Sequence, residues 1–398
     1  MKILYASALS SERLINMLFV NKRCNPGFAM QKFARLIVKG IHHNGVEIST
    51  LTNPPINRTL LSDIFVCFKT EKENGISYKY IPFFNFPLLK HFCVIVYSFL
   101  YTLFWGMYDR KNKLLLCDVI NVSICVGTLM AAKILRIKTA CVVTDIYGLM
   151  IGENKGRLSS LVSYLAHKFY NIYANSFDKY ILLTEQMNEK VNLYKKPYIV
   201  IEALCDTDLL IENNEYLKKN NPRTVLYAGG LFEQYGVKML VEAFIKSNVD
   251  AKLILYGSGT FVKELNSVYS AYSNIDYRGV ASNEEVIIEE YKSSLLVNPR
   301  FSSEEFTKYS FPSKNMEYMV SGTPLLANKL SGMPNEYDSF VYLFEEETVE
   351  GYARTLNKLL SYPEEELNKF GSAARKFVVE NKNYITQGEK LVFFLLRN

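Results

Sequence analysis

A lysine and a glutamate that stand three residues apart, Lys314 and Glu317, have the types and spacing to bind a nucleotide. Residues at this spacing share one face of a helix, so both side chains can point into one cleft. A lysine beside the free N–H groups of a helix N-terminus binds phosphate, and a carboxylate accepts hydrogen bonds from a ribose diol. The pair therefore fits a nucleotide diphosphate. The alternative is an ordinary i,i+3 ion pair on a helix surface.

The elements around this pair favour the binding site over the surface ion pair. The apolar run Leu295–Val297 predicts a buried strand, and a polar loop follows it. A helix is expected from near Pro312, because proline suits the first helical turn, and Gly322 ends that helix. Leu325–Ala327 predicts the next strand. A helix N-terminus at the carboxyl end of a parallel sheet binds anions through its N–H groups and its dipole.

An arginine and three glycines are further candidates at this end of the sheet. Arg300 lies in the loop after the buried strand, and its fork-shaped guanidinium suits a diphosphate. The alternative is an arginine that caps its own loop. Gly229 and Gly230 follow the predicted strand Thr224–Ala228, where two residues without side chains leave the backbone accessible. Gly257 follows another strand in a Gly-Ser-Gly turn, a pattern that follows many strands.

The N-terminal half carries two candidate residues. Asp145 follows a buried strand and would point into a cleft, as a base or an acceptor-binding group. Its alternative role is the N-cap of the next helix. Gly27 precedes the predicted helix Ala29–His43 and would let the backbone approach a ligand, or it is a simple turn glycine. None of the four histidines is assigned to catalysis.

Strands alternate with helices in both halves of the chain, which predicts parallel sheets covered by helices. In the first half the predicted strands are Lys2–Ala6, Glu47–Leu51, Leu114–Ile120, Thr139–Thr144 and Tyr180–Leu183. In the second half they are Thr224–Ala228, Lys252–Tyr256, Ile275–Tyr277, Leu295–Val297 and Leu325–Ala327. We expect an α/β protein of two doubly wound, Rossmann-like domains that face each other across a ligand cleft.

The length of 398 residues suits two domains. The stretch that begins at Cys205 is mostly polar and predicts a linker. The expected organisation is a first domain over 1–204, a linker over 205–221, a second domain over 222–375 and a C-terminal helix over 376–398.

The composition excludes several classes of protein. Hydrophobic residues make up 49% of the chain and charged residues 22%, which is ordinary for a folded domain and not for a disordered chain. The net charge of +6 is too diffuse to predict nucleic-acid binding, but it suits anionic lipid or phosphorylated substrates. The seven cysteines are widely spaced without a Cys-x-x-Cys pair, which argues against a zinc site and for reduced thiols in the cytoplasm.

One segment, 92–107, is almost wholly apolar and has basic residues on both sides. It is shorter than the roughly 20 residues that a membrane crossing requires. Two interpretations stay open. The segment is a buried helix of the first domain, or it lies in a membrane interface with Trp105 and tyrosines at the level of the headgroups.

The segment from Phe311 to Pro324 (Phe-Pro-Ser-Lys-Asn-Met-Glu-Tyr-Met-Val-Ser-Gly-Thr-Pro) resembles the donor-site motif of GT-B glycosyltransferases, in particular family 4. Members of that family build bacterial capsule, exopolysaccharide or O-antigen, and their motif has two glutamates with seven residues between them. Glu317 matches the second glutamate, which binds the ribose of the sugar nucleotide in the family. The first position, whose glutamate contacts the donor sugar, is occupied by Tyr309 here.

Two further segments extend the resemblance. Tyr227-Ala-Gly-Gly-Leu and the helix after Tyr235 are similar to the first strand, loop and helix of the family's donor domain. The family often has an arginine and a lysine at the positions of Gly230 and Tyr235, so the usual diphosphate cations are missing. Arg300 and Lys314 are the candidates to replace them.

The resemblance implies transfer of a sugar, with anomeric retention, from a nucleotide-diphosphate sugar to a lipid-linked glycan. The first domain would bind the acceptor, the second would bind the donor, and the last helix would return to the first domain. The implied donor-binding residues are Gly229, Gly230, Gly257, Tyr309, Ser313, Lys314 and Glu317. The candidate catalytic residues are Asp145, Arg300 and Lys314, and Gly27 belongs to the acceptor side.

No metal or other cofactor is required if a helix N-terminus, loop amides and these cations stabilise the leaving diphosphate. Asp206-Thr-Asp208 is interpreted as a loop and not as a metal site. The expected location is the cytoplasm, with the inner face of the plasma membrane as an additional site. The alternatives are a sugar-nucleotide epimerase of the same fold and a non-catalytic nucleotide-sugar-binding or membrane-scaffold subunit.

Overall fold

In the computed structural model the chain forms two compact units. The residues described are 1–20, 27–146, 168–209 and 218–397. Met1–Leu204 and Tyr384–Asn398 make up the first unit, and Cys205–Asn383 make up the second. The chain therefore leaves the first unit once and returns to it at its C-terminal end.

The return to the first unit lies later in the chain than the predicted boundary at 375–376. The helix that begins at Glu364 continues to Asn381 and belongs to the second unit. It packs closely there, because a Cβ on Gly371 would lie 2.1 Å from the carbonyl oxygen of Gly322. Beyond it, the backbone N–H of Cys205 donates to the carbonyl of Lys382 at 2.9 Å.

The first unit is built on a sheet of eight strands. Its strand order is β10-β9-β8-β7-β1-β2-β5-β4, and β4 alone pairs antiparallel among the described strands of this sheet. The strands of this unit are β1 (Lys2–Ser7), β2 (Glu47–Thr52), β3 (Phe65–Val66), β4 (Glu71–Glu73), β5 (Ile76–Tyr80), β6 (Phe83–Phe84), β7 (Lys113–Asp118), β8 (Lys138–Val143), β9 (Lys179–Leu182) and β10 (Tyr198–Val200). Strands β3 and β6 form a separate antiparallel pair.

Helices cover this sheet, as the alternating pattern predicts. The helices of the unit are α1 (Glu12–Ile15), α2 (Phe28–His43), α3 (Pro87–Met107), α4 (Val122–Leu135) and α5 (Met187–Val191), with the C-terminal helix α12 (Tyr384–Leu396). Helix α12 packs on α2 so closely that a Cβ on Gly40 would lie 2.3 Å from the carbonyl oxygen of Tyr384. The amide of Asn44 also donates to the carbonyl of Ile385 at 3.0 Å. The last helix therefore completes the core of the first unit.

Helix α3 is the long apolar segment and does not fit the buried alternative. Among its 21 residues, those buried are Val94, Ser98, Thr102 and Gly106, a stripe at a spacing of four that faces α4. The large side chains lie elsewhere on its surface: Phe92 is 64% exposed and Phe104 is 66% exposed. The helix is long and apolar enough to cross a membrane by length and composition, with 17% of its apolar window buried.

The second unit has a six-stranded sheet in the order β13-β12-β11-β14-β15-β16, and all its pairs are parallel. Its strands are β11 (Arg223–Ala228), β12 (Ala251–Tyr256), β13 (Ile275–Gly279), β14 (Leu295–Asn298), β15 (Leu325–Ala327) and β16 (Tyr342–Leu343). Its helices are α6 (Val237–Ser247), α7 (Val262–Val268), α8 (Asn283–Lys292), α9 (Ser313–Ser321), α10 (Val349–Ser361) and α11 (Glu364–Asn381). This strand order is that of a doubly wound dinucleotide-binding sheet.

Every strand predicted from an apolar run is present within two residues of its expected bounds. Buried parallel strands contact helices on both faces, so they read as continuous apolar runs. The core of each unit contains the inward side chains of its own strands together with the apolar faces of its helices. The predicted α/β class with two doubly wound sheets is confirmed.

Candidate active site

The strand order of the second sheet reverses between β11 and β14, which lie side by side. In open parallel sheets, ligands bind at the carboxyl ends of the strands at such a switch point. Here β11 ends at Ala228 and leads into Gly229 and Gly230, whereas β14 ends at Asn298 and leads into the loop with Arg300. The topology therefore brings the predicted glycines and Arg300 to one edge of the sheet.

The glycine loop after β11 is held by both neighbouring strands. The N–H of Gly229 donates to the carbonyl of Tyr256 at 3.0 Å, and the Tyr227 hydroxyl donates to the carbonyl of Gly230 at 2.8 Å. A Cβ on Gly229 would lie 2.9 Å from the Tyr227 oxygen, and one on Gly230 would lie 2.9 Å from the Phe232 ring. The loop therefore keeps its backbone close to the sheet edge because neither position carries a side chain.

Gly257 supports this loop from the next strand. It has a φ of +133°, and a Cβ there would lie 1.8 Å from the carbonyl oxygen of Gly229. The N–H of Leu231 donates to the carbonyl of Ser258 at 2.9 Å. The close contact between these two loops therefore explains why a glycine occupies position 257. The predicted contact of Gly257 with a donor stays a prediction.

The loop that carries Arg300 is fixed by side chains other than its own arginine. The Asn328 amide donates to the carbonyl of Arg300 at 2.8 Å, and the Tyr352 hydroxyl donates to the carbonyl of Pro299 at 3.2 Å. The Arg300 guanidinium instead lies over the Tyr235 ring, with its Cζ 4.9 Å from the ring centroid. Within the described residues, the hydrogen bonds and ion pairs do not include this guanidinium. The alternative of an arginine that caps its own loop is therefore not what the structure shows.

Helix α9 starts at the same edge and is tied to both strand ends. The buried amide of Asn298 donates to the Asn315 side-chain oxygen at 2.6 Å. The Tyr318 hydroxyl accepts from the N–H of Ala228 at 2.8 Å and lies 3.3 Å from the carbonyl of the same residue. Ser313, the first helical residue, is exposed. The N-terminus of α9 therefore lies just beyond the end of β14, and the N–H groups of Ser313 and Lys314 have no acceptor within the helix.

Lys314 and Glu317 form the i,i+3 ion pair that the sequence offered as the alternative, with a separation of 2.8 Å. Burial lowers the pKa of Lys314, but the negative charges of Glu317 and Glu290 outweigh it and leave the pKa raised. The ammonium therefore stays charged at neutral pH, at the N-terminus of α9. The ion pair and a binding role are compatible, because both side chains are partly exposed and lie on the face where α9 begins.

Tyr309 lies at the end of the short 3-10 turn Glu305–Lys308, and its N–H donates to the carbonyl of Phe306 at 3.0 Å. The same turn is tied to a second loop, because the N–H of Gly332 donates to the carbonyl of Thr307 at 3.1 Å. Tyr309 is half-buried in the segment that connects β14 to α9. The structure thus places it in the loop of the candidate site.

Residues 211–377 match the family model described as glycosyl transferases group 1. Among curated protein sequences, none matches the chain significantly. Solved structures with a similar fold include the Anabaena protein HepE in complex with UDP, at 15% identity and a TM-score of 0.62 over 99% of both chains. The lipopolysaccharide outer core galactosyltransferase WaaB, in its apo form, is 12% identical with a TM-score of 0.63 over 99% of both chains.

Sucrose-phosphate synthase from Thermosynechococcus elongatus is 11% identical, with a TM-score of 0.65 over 100% of this chain and 99% of that one. These likenesses cover both units and show the fold, and the family model covers most of the second unit. The protein is a glycosyltransferase with the GT-B fold. The predicted fold and enzyme class are confirmed, and the second unit of the glycosyltransferase carries the group 1 match.

The first unit of the glycosyltransferase has a switch point of its own, between β1 and β7. Asp118 ends β7 there and is 5% exposed. One carboxyl oxygen accepts from the Asn121 amide at 2.9 Å, and the other has no partner among the described residues. Burial raises the pKa of Asp118 to about 7, and the charge of Asp145 adds to the shift.

Asp145, the predicted base or acceptor-binding group, follows β8 on the next strand. Burial raises the pKa of Asp145 to about 6. The sequence pattern does not single out its neighbour Asp118, because the apolar run predicts a strand that continues to Ile120. The signal that could have identified Asp118 is an aspartate at the end of a wholly buried strand.

Gly27 has a φ of +77° and occupies the N-cap of α2, where the N–H of Gln31 donates to its carbonyl at 3.0 Å. A left-handed backbone favours glycine, so this conformation explains the residue type at position 27 without reference to a ligand. Residues 21–26, which precede it, lie outside the described residues, as does Cys24 among the seven cysteines. A role for Gly27 toward the acceptor stays a prediction.

Within the described residues, no group of three or more His, Cys, Asp or Glu is placed to hold a metal ion. Asp206 and Asp208 lie at a short 3-10 turn, Thr207–Leu209, outside the edge where Arg300 and Lys314 lie.

Proposed function

We propose that the glycosyltransferase moves a hexose from a nucleotide-diphosphate sugar to a lipid-linked glycan, with retention of the anomeric configuration, in the synthesis of a bacterial surface polysaccharide of the capsule, exopolysaccharide or O-antigen kind. The observation that carries the proposal is the convergence of the glycine loop, Arg300 and the N-terminus of α9 on one switch point of the second sheet. This arrangement offers backbone N–H groups and two cations to one anion.

The chemistry asked of these groups is the stabilisation of the charge that grows on the leaving diphosphate. The anomeric carbon loses its bond to a phosphate oxygen and gains one to the acceptor hydroxyl, whose proton must leave. Arg300, Lys314 and the first N–H groups of α9 supply positive potential where the diphosphate charge develops. The first unit, with Asp145 and Gly27, would hold the acceptor and bring its hydroxyl to the anomeric carbon.

Glu317 would accept hydrogen bonds from the ribose of the donor, and Tyr309 would contact the donor sugar. Both side chains lie on the segment from the end of β14 to α9. UDP is the nucleotide we propose. The support is that HepE, a structural neighbour at 15% identity, was solved with UDP and with UDP-glucose, and that the neighbour WaaB is named a galactosyltransferase.

We further propose that the protein works in the cytoplasm and, when it meets a lipid-linked acceptor, on the inner face of the plasma membrane through α3. The support is the row of exposed apolar side chains on this helix, which includes Phe92, Val96, Leu100 and Phe104. Exposed aromatics continue on the strand pair before it, at Phe65 and Phe84. An exposed apolar surface of this kind suits the boundary between headgroups and acyl chains.

Transfer without a metal ion is part of the same proposal, and its support is that two cations and the N–H groups of a helix N-terminus lie at one edge of the second sheet. Full activity in excess EDTA is the expected result. A requirement for Mg²⁺ or Mn²⁺ would contradict it.

The test is transfer by the purified full chain. UDP-glucose, UDP-galactose and their N-acetyl derivatives are incubated with lipid-linked acceptors extracted from bacterial membranes, and products are read by mass spectrometry and by the anomeric NMR coupling. The expected product is one added hexose with the donor's configuration, formed in smaller amount by Glu317→Ala at the same donor concentration. Binding of UDP without product from any acceptor would contradict the proposed transfer, and an inverted product would contradict retention alone.

A further inference from the structure

In the proposed donor site, the Arg300 guanidinium lies against two aromatic rings, those of Tyr235 and Phe306. We propose that Tyr235, together with Phe306, is a positioning residue that holds the Arg300 guanidinium at the glycine loop, where the arginine stabilises the charge of the donor diphosphate. This inference rests on the proposed function, since the arginine's anion is the diphosphate of the donor.

The aromatic rings of Tyr235 and Phe306 lie against the arginine, and we call this pair of rings the seat. The Arg300 Cζ lies 4.9 Å from the Tyr235 centroid and 5.7 Å from the Phe306 centroid. The two rings contact each other edge to face at 6.2 Å, and Phe232 supports Tyr235 from its other side at 5.7 Å. A guanidinium within about 6 Å of an aromatic face is attracted by the ring quadrupole.

The backbone below the arginine is fixed as well. Asn328 and Tyr352 hold the carbonyls of Arg300 and Pro299, as described above. Gly236, directly after Tyr235, has a φ of +75°, and a Cβ there would lie 2.0 Å from the carbonyl oxygen of Pro299. The loop that carries the ring and the loop that carries the arginine therefore touch through their backbones, which fixes the ring relative to the guanidinium.

The Tyr235 ring that lies under the guanidinium also borders the glycine loop, because a Cβ on Gly230 would lie 3.0 Å from that ring. Burial raises the pKa of the Tyr227 hydroxyl, and the charge of Arg300 opposes that rise. The same hydroxyl donates to the carbonyl of Gly230. The guanidinium therefore lies beside the glycine loop, the place where a phosphate would meet the backbone.

The seat leaves the arginine's donors available. A ring face binds the plane of a guanidinium and uses none of its N–H groups, whereas a carboxylate partner would use two of them and cancel the charge. Holding the side chain in advance also lowers the entropy that a free arginine loses when it meets its anion. A ring at this position thus orients the cation without competing for it.

The test separates the contribution of the Tyr235 ring to turnover from the contribution of its hydroxyl group. Tyr235→Phe keeps the ring, Tyr235→Leu removes it, and Phe232→Leu is a matched control that changes the packing of Tyr235 while Phe306 and Tyr235 still face the arginine. For donor turnover we expect Tyr235→Phe within about twofold of wild type and Tyr235→Leu about tenfold lower in kcat with a smaller change in KM. The control variant is expected within about 1.5-fold of wild type.

A double-mutant cycle separates positioning from plain packing. In an Arg300→Ala background, Tyr235→Leu is expected to cost little more, because the arginine it positions is gone. An equal loss in both backgrounds would overturn the inference, as would Tyr235→Phe behaving like Tyr235→Leu. If the melting temperature shows that Tyr235→Leu unfolds, Phe306→Leu replaces it as the test variant, because Phe306 is the second ring against the arginine. We expect Phe306→Leu to lower kcat about threefold in the wild-type background and to have no further effect in the Arg300→Ala background.

Nucleotide binding distinguishes this inference from the proposed function. By calorimetry, wild type is expected to prefer UDP to UMP, and both Arg300→Ala and Tyr235→Leu are expected to lose about half of that preference on a logarithmic scale. An unchanged preference in Tyr235→Leu overturns the seat and leaves the proposed function standing. Wild type that binds neither nucleotide overturns the proposed function, and the inference with it.

Discussion

The two units carry their polar groups at equivalent edges of similar sheets, but with opposite chemistry. At the switch point of the second unit lie cations and N–H groups, and side-chain hydrogen bonds from Asn298, Asn328 and Tyr318 fix the loops around them. At the switch point of the first unit lies Asp118, a buried carboxyl whose pKa is raised to about 7, near Asp145. A preorganised positive edge suits a permanent anion. A buried acid that is partly neutral suits a hydroxyl group, to which it can donate or from which it can accept.

Arg300→Ala tests the positive edge most severely. Because the proposed role of Arg300 is to stabilise charge that develops on the leaving diphosphate, we expect kcat to fall on the order of 10²–10³-fold, with a smaller change in UDP affinity. The measurement is steady-state release of UDP alongside calorimetry. Arg354→Ala, an exposed arginine on α10 that pairs with Glu346, is the control and should leave both values unchanged. Equal losses in kcat and in UDP affinity would mean that Arg300 contributes to ground-state binding of the nucleotide and not to stabilisation of the transition state.

Glu317→Ala separates a ribose contact from the ion pair with Lys314. A charge-assisted hydrogen bond is worth about 1.4 kcal/mol or more, so UDP affinity should fall at least tenfold. Uridine, which has the ribose but no phosphate, should lose a similar factor, whereas Lys314→Met should weaken UDP and spare uridine. If Glu317→Ala leaves uridine binding intact, the carboxylate acts only through the lysine, and our placement of the ribose is wrong.

Replacing Val96 and Leu100 by lysine sharpens the contrast between the surfaces of the two units. Two charges on the exposed face of α3 should lower binding to zwitterionic liposomes several-fold in a flotation assay without lowering the melting temperature, because neither side chain is buried. Val280→Lys is the matched control, since Val280 is 77% exposed on the second unit. Equal binding by wild type and the double variant, or unfolding of the variant, would count against a membrane role for α3.

Asp118→Asn tests the buried acid and should give the smallest effect. A carboxyl whose folded pKa is raised contributes stability that is complete below its unfolded pKa and is lost as pH rises through the folded value, here about 7. Asparagine resembles the neutral acid at every pH. We therefore expect the variant to melt higher than wild type at pH 8, on the order of 5 °C, and this difference to shrink as pH falls from 7 toward the ordinary aspartate pKa of about 4. A pH-independent difference would contradict the raised pKa.

The sequence allowed both large sheets to be predicted, because a parallel strand covered on both faces is an uninterrupted apolar run. It did not allow β4 and β5 to be predicted. Strand β4 is Glu-Lys-Glu at a sheet edge, and β5 alternates buried and half-buried residues over five positions. Short edge strands of this kind depend on their partners more than on their own residues.

Within the site, local spacing identified Lys314 and Glu317, which are one turn apart. It could not identify Tyr318 as the side chain that binds the backbone of Ala228, or Tyr235 as the ring under Arg300. Both contacts join distant parts of the chain and are created only when β11, β14 and α9 come together. The sequence marked Tyr235 as the loss of a cation and Arg300 as a candidate replacement, but it could not show that these two side chains contact each other.

The contact of α12 with α2 has a consequence for how this enzyme is made. Gly40 and Gly388 lie so close that a Cβ on Gly388 would be 2.6 Å from the Gly40 backbone, and this contact joins two segments that the second unit separates in the sequence. On the ribosome, the strands of the first unit emerge before the second unit, whereas α12, which packs on α2, emerges after it. The first unit therefore cannot complete its core until the second unit has been synthesised, and until then the face of α2 that α12 covers has no partner helix.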